Sequence, residues 1–366
     1  MCAHEDGKAP LRIAMLAPPW IPVPAPAYGG IEEVVRLLTA GLADRGHHVT
    51  LFAPPGSDSC AEVVEVLEEP HPDDIQRAQF EADHVARAFA HIDDAAERGT
   101  PFDVIHDHVG HTALAMADRV SAPVVHTLHG PFDEDATRFY SQHGHKAQIV
   151  AISRAQLDSA PPEMGGGSVV HNPIDCAEWP FRADKEDLLL WIGRMSPDKG
   201  PHRAIAAARA AGVPLVLAGP VQPGQEQFFA DEVEPHVGRD GIEYFGEADS
   251  KAKRDLYGRA RGLLMPIRWP EPFGLVMVEA LACGTPVIAF PEGSAPEIVQ
   301  HGETGFVVED EEAMAAAVKD LDAIDPEACR RACQERFGVP AVVGAYEDVY
   351  RAAMPDRAGR DSVRLA

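Results

Sequence analysis

Pro266-Ile267-Arg268-Trp269-Pro270-Glu271-Pro272-Phe273-Gly274-Leu275-Val276-Met277-Val278-Glu279-Ala280-Leu281-Ala282-Cys283-Gly284-Thr285-Pro286 decides the reading of this chain. An apolar strand end over 263–266 enters a proline-stiffened loop, a helix begins near Gly274, and a Gly-Thr-Pro stop leads into a second strand over 287–290. Two carboxylates bracket the helix start. Glu271 precedes it and Glu279 sits one to two turns inside.

The first N–H groups of a helix lack intrahelical partners, and the macrodipole adds partial positive charge there. Phe273, Gly274, Leu275 and Val276 supply those donors to a phosphorylated ligand. Gly274 opens the backbone to close approach. A carboxylate on either side accepts hydrogen bonds from sugar hydroxyls, so the stretch reads as a cradle for a nucleotide-sugar. The plain alternative is a solvated Glu271 before an ordinary core helix.

The arrangement Glu271-Pro-Phe-Gly-Leu followed by Glu279-Ala-Leu-Ala-Cys-Gly-Thr-Pro resembles the signature of family 4 glycosyltransferases. That family is retaining and has the GT-B fold. The resemblance implies an α/β protein of two Rossmann-like α/β/α domains facing across an interdomain cleft. It also implies transfer of a sugar from a nucleoside diphosphate-sugar to an acceptor hydroxyl.

With 366 residues, 45% hydrophobic and 25% charged, the chain is long enough for two domains. No apolar run reaches the length of a membrane span, and the first ten residues are polar, so a cytoplasmic protein without strong membrane association is expected. Six scattered cysteines without a metal-type pair read as reduced thiols. A net charge of −26 argues against nucleic acid and anionic membranes as partners. A phosphate ligand then needs a local cationic pocket.

From the N-terminus, residues 11–17 form a continuous apolar strand, as a buried parallel sheet requires. A loop with five prolines then ends in Tyr28-Gly29-Gly30 before an amphipathic helix carrying Ile31, Val34, Val35, Leu38 and Leu42. Adjacent glycines at a helix start can bring amides against a diphosphate, or make only a turn. The resemblance closes this loop over the donor phosphates. A dinucleotide-type Gly-x-Gly-x-x-Gly is absent, which counts against a dehydrogenase.

Further strands are expected at 49–53, 104–106, 123–127 and 149–153, the last of the N-terminal domain, with 61–100 acidic and helical. His106, His108 and His111 invite a metal reading, but Asp107 lies on the other face of the strand and no metal is expected. His129 ends a strand, where open α/β sheets hold ligands. The resemblance places it next to the reacting anomeric centre; a merely packed histidine is the alternative.

The domain boundary falls near 173–182. One domain, 1–173, is completed by a helix within 340–366 and takes the acceptor side; the other, 174–339, binds the donor. After the strand 188–192, Gly193-Arg194 and Lys199-Gly200 put two cations in one loop before a helix from Pro201. Arg194 can grip phosphate oxygens as a fork and Lys199 acts as a point charge. The resemblance gives Gly193, Arg194 and Lys199 the leaving diphosphate, Glu271 the donor sugar and Glu279 the ribose. Gly219-Pro220 and Phe245-Gly246 are expected to line the base, and 355–366 to be a frayed tail.

The expected activity is retaining, metal-independent glycosyl transfer with no cofactor beyond the nucleotide-sugar co-substrate. The acceptor is expected to be small and polar; its identity, the donor's base and sugar, and the oligomeric state stay open. Alternatives are a nucleotide-sugar epimerase or hydrolase on the same fold, a phosphorylase, or a non-catalytic nucleotide-sugar binding protein.

Overall fold

The computed structural model describes residues 9–26, 29–75 and 77–354. Tyr28 and the expected tail at 355–366 lie outside them. The chain divides into two compact units: the first takes residues up to 152, 157–173 and those from 339, the second 153–156 and 174–338.

The first unit holds seven strands: β1 (Arg12–Leu16), β2 (His48–Ala53), β3 (Glu62–Glu65), β4 (Val104–Asp107), β5 (Val124–Thr127), β6 (Gln148–Ala151) and β7 (Ser168–Val169). They form one parallel sheet in the order β3-β2-β1-β4-β5-β6-β7. The apolar runs of β1 and β2 place Ile13, Met15, Val49 and Leu51 in the core, covered by Val34, Val35 and Leu38 of the helix Gly30–Asp44.

Two expectations fail here. The segment 61–100 is not helical throughout: β3 pairs with β2 before the helix Ala78–Glu97 begins. Glu62-Val63-Val64-Glu65 has charged ends and half-buried valines, which suits a sheet edge. Nor is β6 the last strand of the unit, because the two-residue β7 pairs outside it.

The final helix, Val339–Ala353, belongs to this unit and lies against Gly30–Asp44. Polar contacts fix it there. Glu347 takes a 2.9 Å hydrogen bond from Arg45 and pairs with His47 Nε2 at 2.8 Å, while Tyr346 and Tyr350 reach Thr127 Oγ1 (3.0 Å) and His106 Nδ1 (2.7 Å).

The second unit holds β8 (Glu186–Ile192), β9 (Leu215–Ala218), β10 (Ile242–Gly246), β11 (Ala260–Met265), β12 (Val287–Ala289) and β13 (Gly305–Val307). Its sheet is again parallel, in the order β10-β9-β8-β11-β12-β13. Leu189, Trp191, Leu215, Leu217, Leu264 and Ile288 fill its core.

Both sheets reverse their winding once, between β1 and β4 and between β8 and β11. At such a switch point the loops leaving the carboxyl ends of neighbouring strands diverge and open a crevice. Gly193, Arg194, Lys199, Glu271, Phe273 and Gly274 lie on loops leaving β8 or β11, and Leu275 and Val276 in the helix turn that follows, whereas Gly219 and Gly246 stand at the ends of β9 and β10. No helix among the described residues is long and apolar enough to cross a membrane.

Candidate functional site

The loop after β8 carries Gly193, Arg194 and Lys199; the loop after β11 carries Trp269 and Glu271. A backbone hydrogen bond of 2.9 Å from Arg268 N to Asp198 O ties them together one residue from Lys199. Lys199 Nζ meets Glu271 Oε2 at 2.5 Å, with both side chains largely enclosed. Trp269 binds both partners: its indole Nε1 donates to Glu271 Oε2 at 3.0 Å and its ring faces the ammonium at 4.3 Å. Both contacts fall on Oε2, and among the described residues Oε1 has no hydrogen-bond partner.

Two glycines hold Glu271 in place. Gly274 caps the helix Leu275–Ala282 at φ 78°, a left-handed conformation in which a Cβ would press on Met277 and on the Glu271 side chain. Gly293, at φ 53°, passes so close that a Cβ there would strike the Glu271 backbone. Ser294 locks the contact, its N–H donating to Glu271 O (3.0 Å) and its hydroxyl to Phe273 O (2.6 Å). The helix start at Gly274, Leu275 and Val276 therefore stands beside the carboxylate, while the Phe273 ring is buried against Phe337.

Glu279 is nearly buried, and its two oxygens take Lys253 Nζ (2.7 Å) and Tyr257 OH (2.9 Å). Arg194 behaves differently. Its side chain is about half exposed, at 47%, and among the described residues reaches only Gln222 (3.5 Å) and Asp198 (3.8 Å), so it does not join the Lys199 cluster. Gly193, Gly219 and Gly246 meet at the carboxyl ends of β8, β9 and β10, through Gly193 N to Ala218 O (3.0 Å) and Gly219 N to Gly246 O (2.8 Å). Phe245 next to them is 50% exposed.

In the first unit Gly29 caps the helix Gly30–Asp44 with extended backbone, φ −161°. The Glu32 carboxyl folds back onto Gly29, and burial raises its pKa. An anion approaching the Gly29 and Gly30 amides would meet that group.

His129 follows β5 and is half-buried, its Nε2 2.9 Å from His108 Nδ1. Burial, followed by the neighbouring His126, pushes the His129 pKa down to about 3. His106 and His108 lie side by side, 4.1 Å between ring centroids, and burial holds both far below the usual imidazole range. Asp107, His126 and Tyr140 form a buried chain of 2.5 and 2.9 Å contacts. His111 stands apart against Phe139. Among the described residues no group of three or more His, Cys, Asp or Glu is placed to hold a metal ion.

Sequence reasoning missed Trp269, Lys253, Tyr257 and Glu32. A signal existed for one pair: Lys253 and Tyr257 are four apart on the helix Ser250–Arg259 and so share a face.

Residues 178–336 match the family model described as glycosyl transferases group 1, and 28–178 the model described as glycosyltransferase family 4. The chain is 29% identical to the glycogen synthase of Mycobacterium tuberculosis over 94% of its own length and 95% of that protein. It resembles the structure of AviGT4, a glycosyltransferase involved in avilamycin A biosynthesis, with TM-score 0.69, 28% identity and 94% and 98% of the two chains covered. The structure of Anabaena HepE in complex with UDP and glucose shares the fold, with TM-score 0.68 and 21% identity over 93% and 100% of the chains. Two family models that meet at residue 178 and run from 28 to 336, on a chain with two parallel Rossmann-like sheets, establish that this protein belongs to glycosyltransferase family 4 and has the GT-B fold.

Proposed function

We propose that the protein is a retaining glycosyltransferase that moves a sugar from a nucleoside diphosphate-sugar to the hydroxyl of a small polar acceptor, without a metal ion or cofactor. The cluster of Lys199, Glu271 and Trp269 beside the amides of Gly274, Leu275 and Val276 carries this reading. It offers a carboxylate oxygen to sugar hydroxyls, and an ammonium and helix N–H groups to a diphosphate, in one place. HepE, which shares the fold, binds UDP and glucose.

In the proposed reaction the bond from the anomeric carbon to the diphosphate oxygen breaks. The acceptor oxygen bonds to that carbon on the same face, and a departing phosphate oxygen takes the acceptor's proton. Charge gathers on the diphosphate as it leaves, so Lys199, Arg194 and the helix amides act most strongly in the transition state. These cations take the part a metal would play. Glu271 Oε1 orients the sugar and Glu279 the ribose, with Gly193 giving the diphosphate close approach. Gly29 and Gly30 serve the donor phosphates once Glu32 turns aside. His129 acts in the transfer step as a neutral imidazole. The second unit is the donor-binding domain in this account, the first the acceptor-side domain, and the cytoplasm its place of action.

Thermal unfolding against a panel of nucleotide-sugars, with and without EDTA, tests the reading. A donor at about 100 times its Kd adds roughly 2.7 kcal/mol, or several degrees in Tm. One donor is expected to shift Tm equally with and without EDTA, and its transferred sugar to keep its anomeric configuration by NMR. No shift with any donor, loss of activity in EDTA, or an inverted product overturns the proposal. An epimer formed without acceptor supports the epimerase alternative.

A further inference from the structure

His108 Nδ1 and His129 Nε2 face each other at 2.9 Å, with rings inclined by 27° and centroids 5.1 Å apart. Both rings are neutral, since burial and the neighbouring imidazoles His106 and His126 disfavour a charge on either. A neutral imidazole has one N–H and one bare nitrogen. One ring therefore donates across the contact and the other accepts.

The direction follows from the far side of His108. Its Nε2 is buried and has no hydrogen-bond partner among the described residues. A proton on Nε2 would leave a donor orphaned in dry surroundings, whereas a proton on Nδ1 leaves only an unused lone pair, the milder fault. The adjacent ring cannot relieve Nε2. His106 spends Nε2 on Thr127 Oγ1 (2.8 Å) and Nδ1 on Tyr350 OH (2.7 Å). His108 thus donates from Nδ1, and His129 Nε2 must be bare.

We infer that His108 is a positioning residue that fixes His129 in the tautomer with its proton on Nδ1, so that His129 offers a hydrogen-bond donor, not a base, to an oxygen of the sugar. The tautomer follows from the contact geometry of two neutral rings; its use in transfer rests on the function proposed above. With Nε2 engaged and Nδ1 protonated, His129 has no free lone pair to take the acceptor's proton, and that proton must go elsewhere, as the phosphate route provides.

Nitrogen NMR of the protein labelled with 15N-histidine reads this directly, and His129→Ala identifies the signals by their loss. The expected spectrum at neutral pH has a bare Nε2 and a protonated Nδ1 for His129. His108→Asn keeps an N–H donor and is expected to keep that pattern. His108→Asp offers only acceptors and is expected to shift Nε2 to its protonated position. A protonated Nε2 in the unmodified protein overturns the inference, as does an unchanged His129 spectrum in a folded His108→Asp variant. The two proposals fail separately: a bare Nε2 together with full sugar transfer by His129→Ala leaves the tautomer standing and removes His129 from the reaction.

Discussion

Lys199 Nζ lies 2.5 Å from Glu271 Oε2, joining a loop after β8 to a loop after β11 across 72 residues of sequence. The side chains are only 15% and 13% exposed, so removing one partner costs more than breaking a surface ion pair.

Removing one partner leaves the other as an uncompensated, largely buried charge. Lys199→Met and Glu271→Gln are each expected to lose about 2–4 kcal/mol of stability. The double variant is expected to lose much less than their sum. All three should lose transfer by roughly 10- to 150-fold, the equivalent of one charged hydrogen bond. Denaturant unfolding and kcat/KM on the same preparations check this; additive stability losses or wild-type turnover would refute the coupling.

Trp269 contributes two separable things, an indole N–H to Glu271 and a ring face to Lys199. Trp269→Phe keeps the face and removes the donor, which frees Oε2 to rotate away from the ammonium. We expect near-normal stability but a roughly tenfold fall in kcat. Trp269→Leu removes both and should fall further, since the cation–ring contact adds about 0.5–1 kcal/mol. Equal kinetics in the two variants would show that the ring face does nothing.

Arg194 gives the opposite test, because it is half exposed and among the described residues makes only long contacts at 3.5 and 3.8 Å. Arg194→Ala should change stability by no more than about 0.5 kcal/mol. If the guanidinium grips phosphate, the same change lowers kcat/KM for the donor about tenfold or more. Unaltered kinetics would free Arg194 from any role with the ligand.

Long apolar strands made most of the fold readable in advance. Residues 188–192 read as a strand and lie within β8, and 287–290 contain β12, because a buried parallel strand writes itself as an unbroken hydrophobic run. Glu62-Val63-Val64-Glu65 gave no such run, since an edge strand needs only two apolar residues, and its acidic flanks blended into the following helix. The site divides the same way. Glu271, Gly274 and Glu279 stood in one quotable stretch, so their motif was visible. Trp269 stood there too, but a side chain's reach to a residue 70 positions away leaves no periodic trace. The contacts of Tyr257 with Glu279 and of His108 with His129 were hidden for the same reason: the partners lie 22 and 21 residues apart.

Buried neutral histidines make the first unit acid-sensitive. Burial lowers His84 to about 4 and His129 to about 3, and holds His106 and His108 well below the imidazole norm. An unfolded chain protonates each near pH 6.5. Below that pH the unfolded state binds more protons than the folded one, so stability falls as pH falls. The contribution is complete above about pH 6.5 and is lost progressively down to each folded pKa. Fully buried His84 alone should cost about 2 kcal/mol at pH 5, a sizeable part of the roughly 5–15 kcal/mol that holds a domain. Unfolding free energies at pH 8, 6 and 5 should therefore drop steeply over the last step. His84→Leu, which removes one of these groups at similar volume, should show a shallower drop between pH 6 and 5 than the unmodified protein. Parallel pH curves for the two would mean that His84 is not held neutral in the folded state.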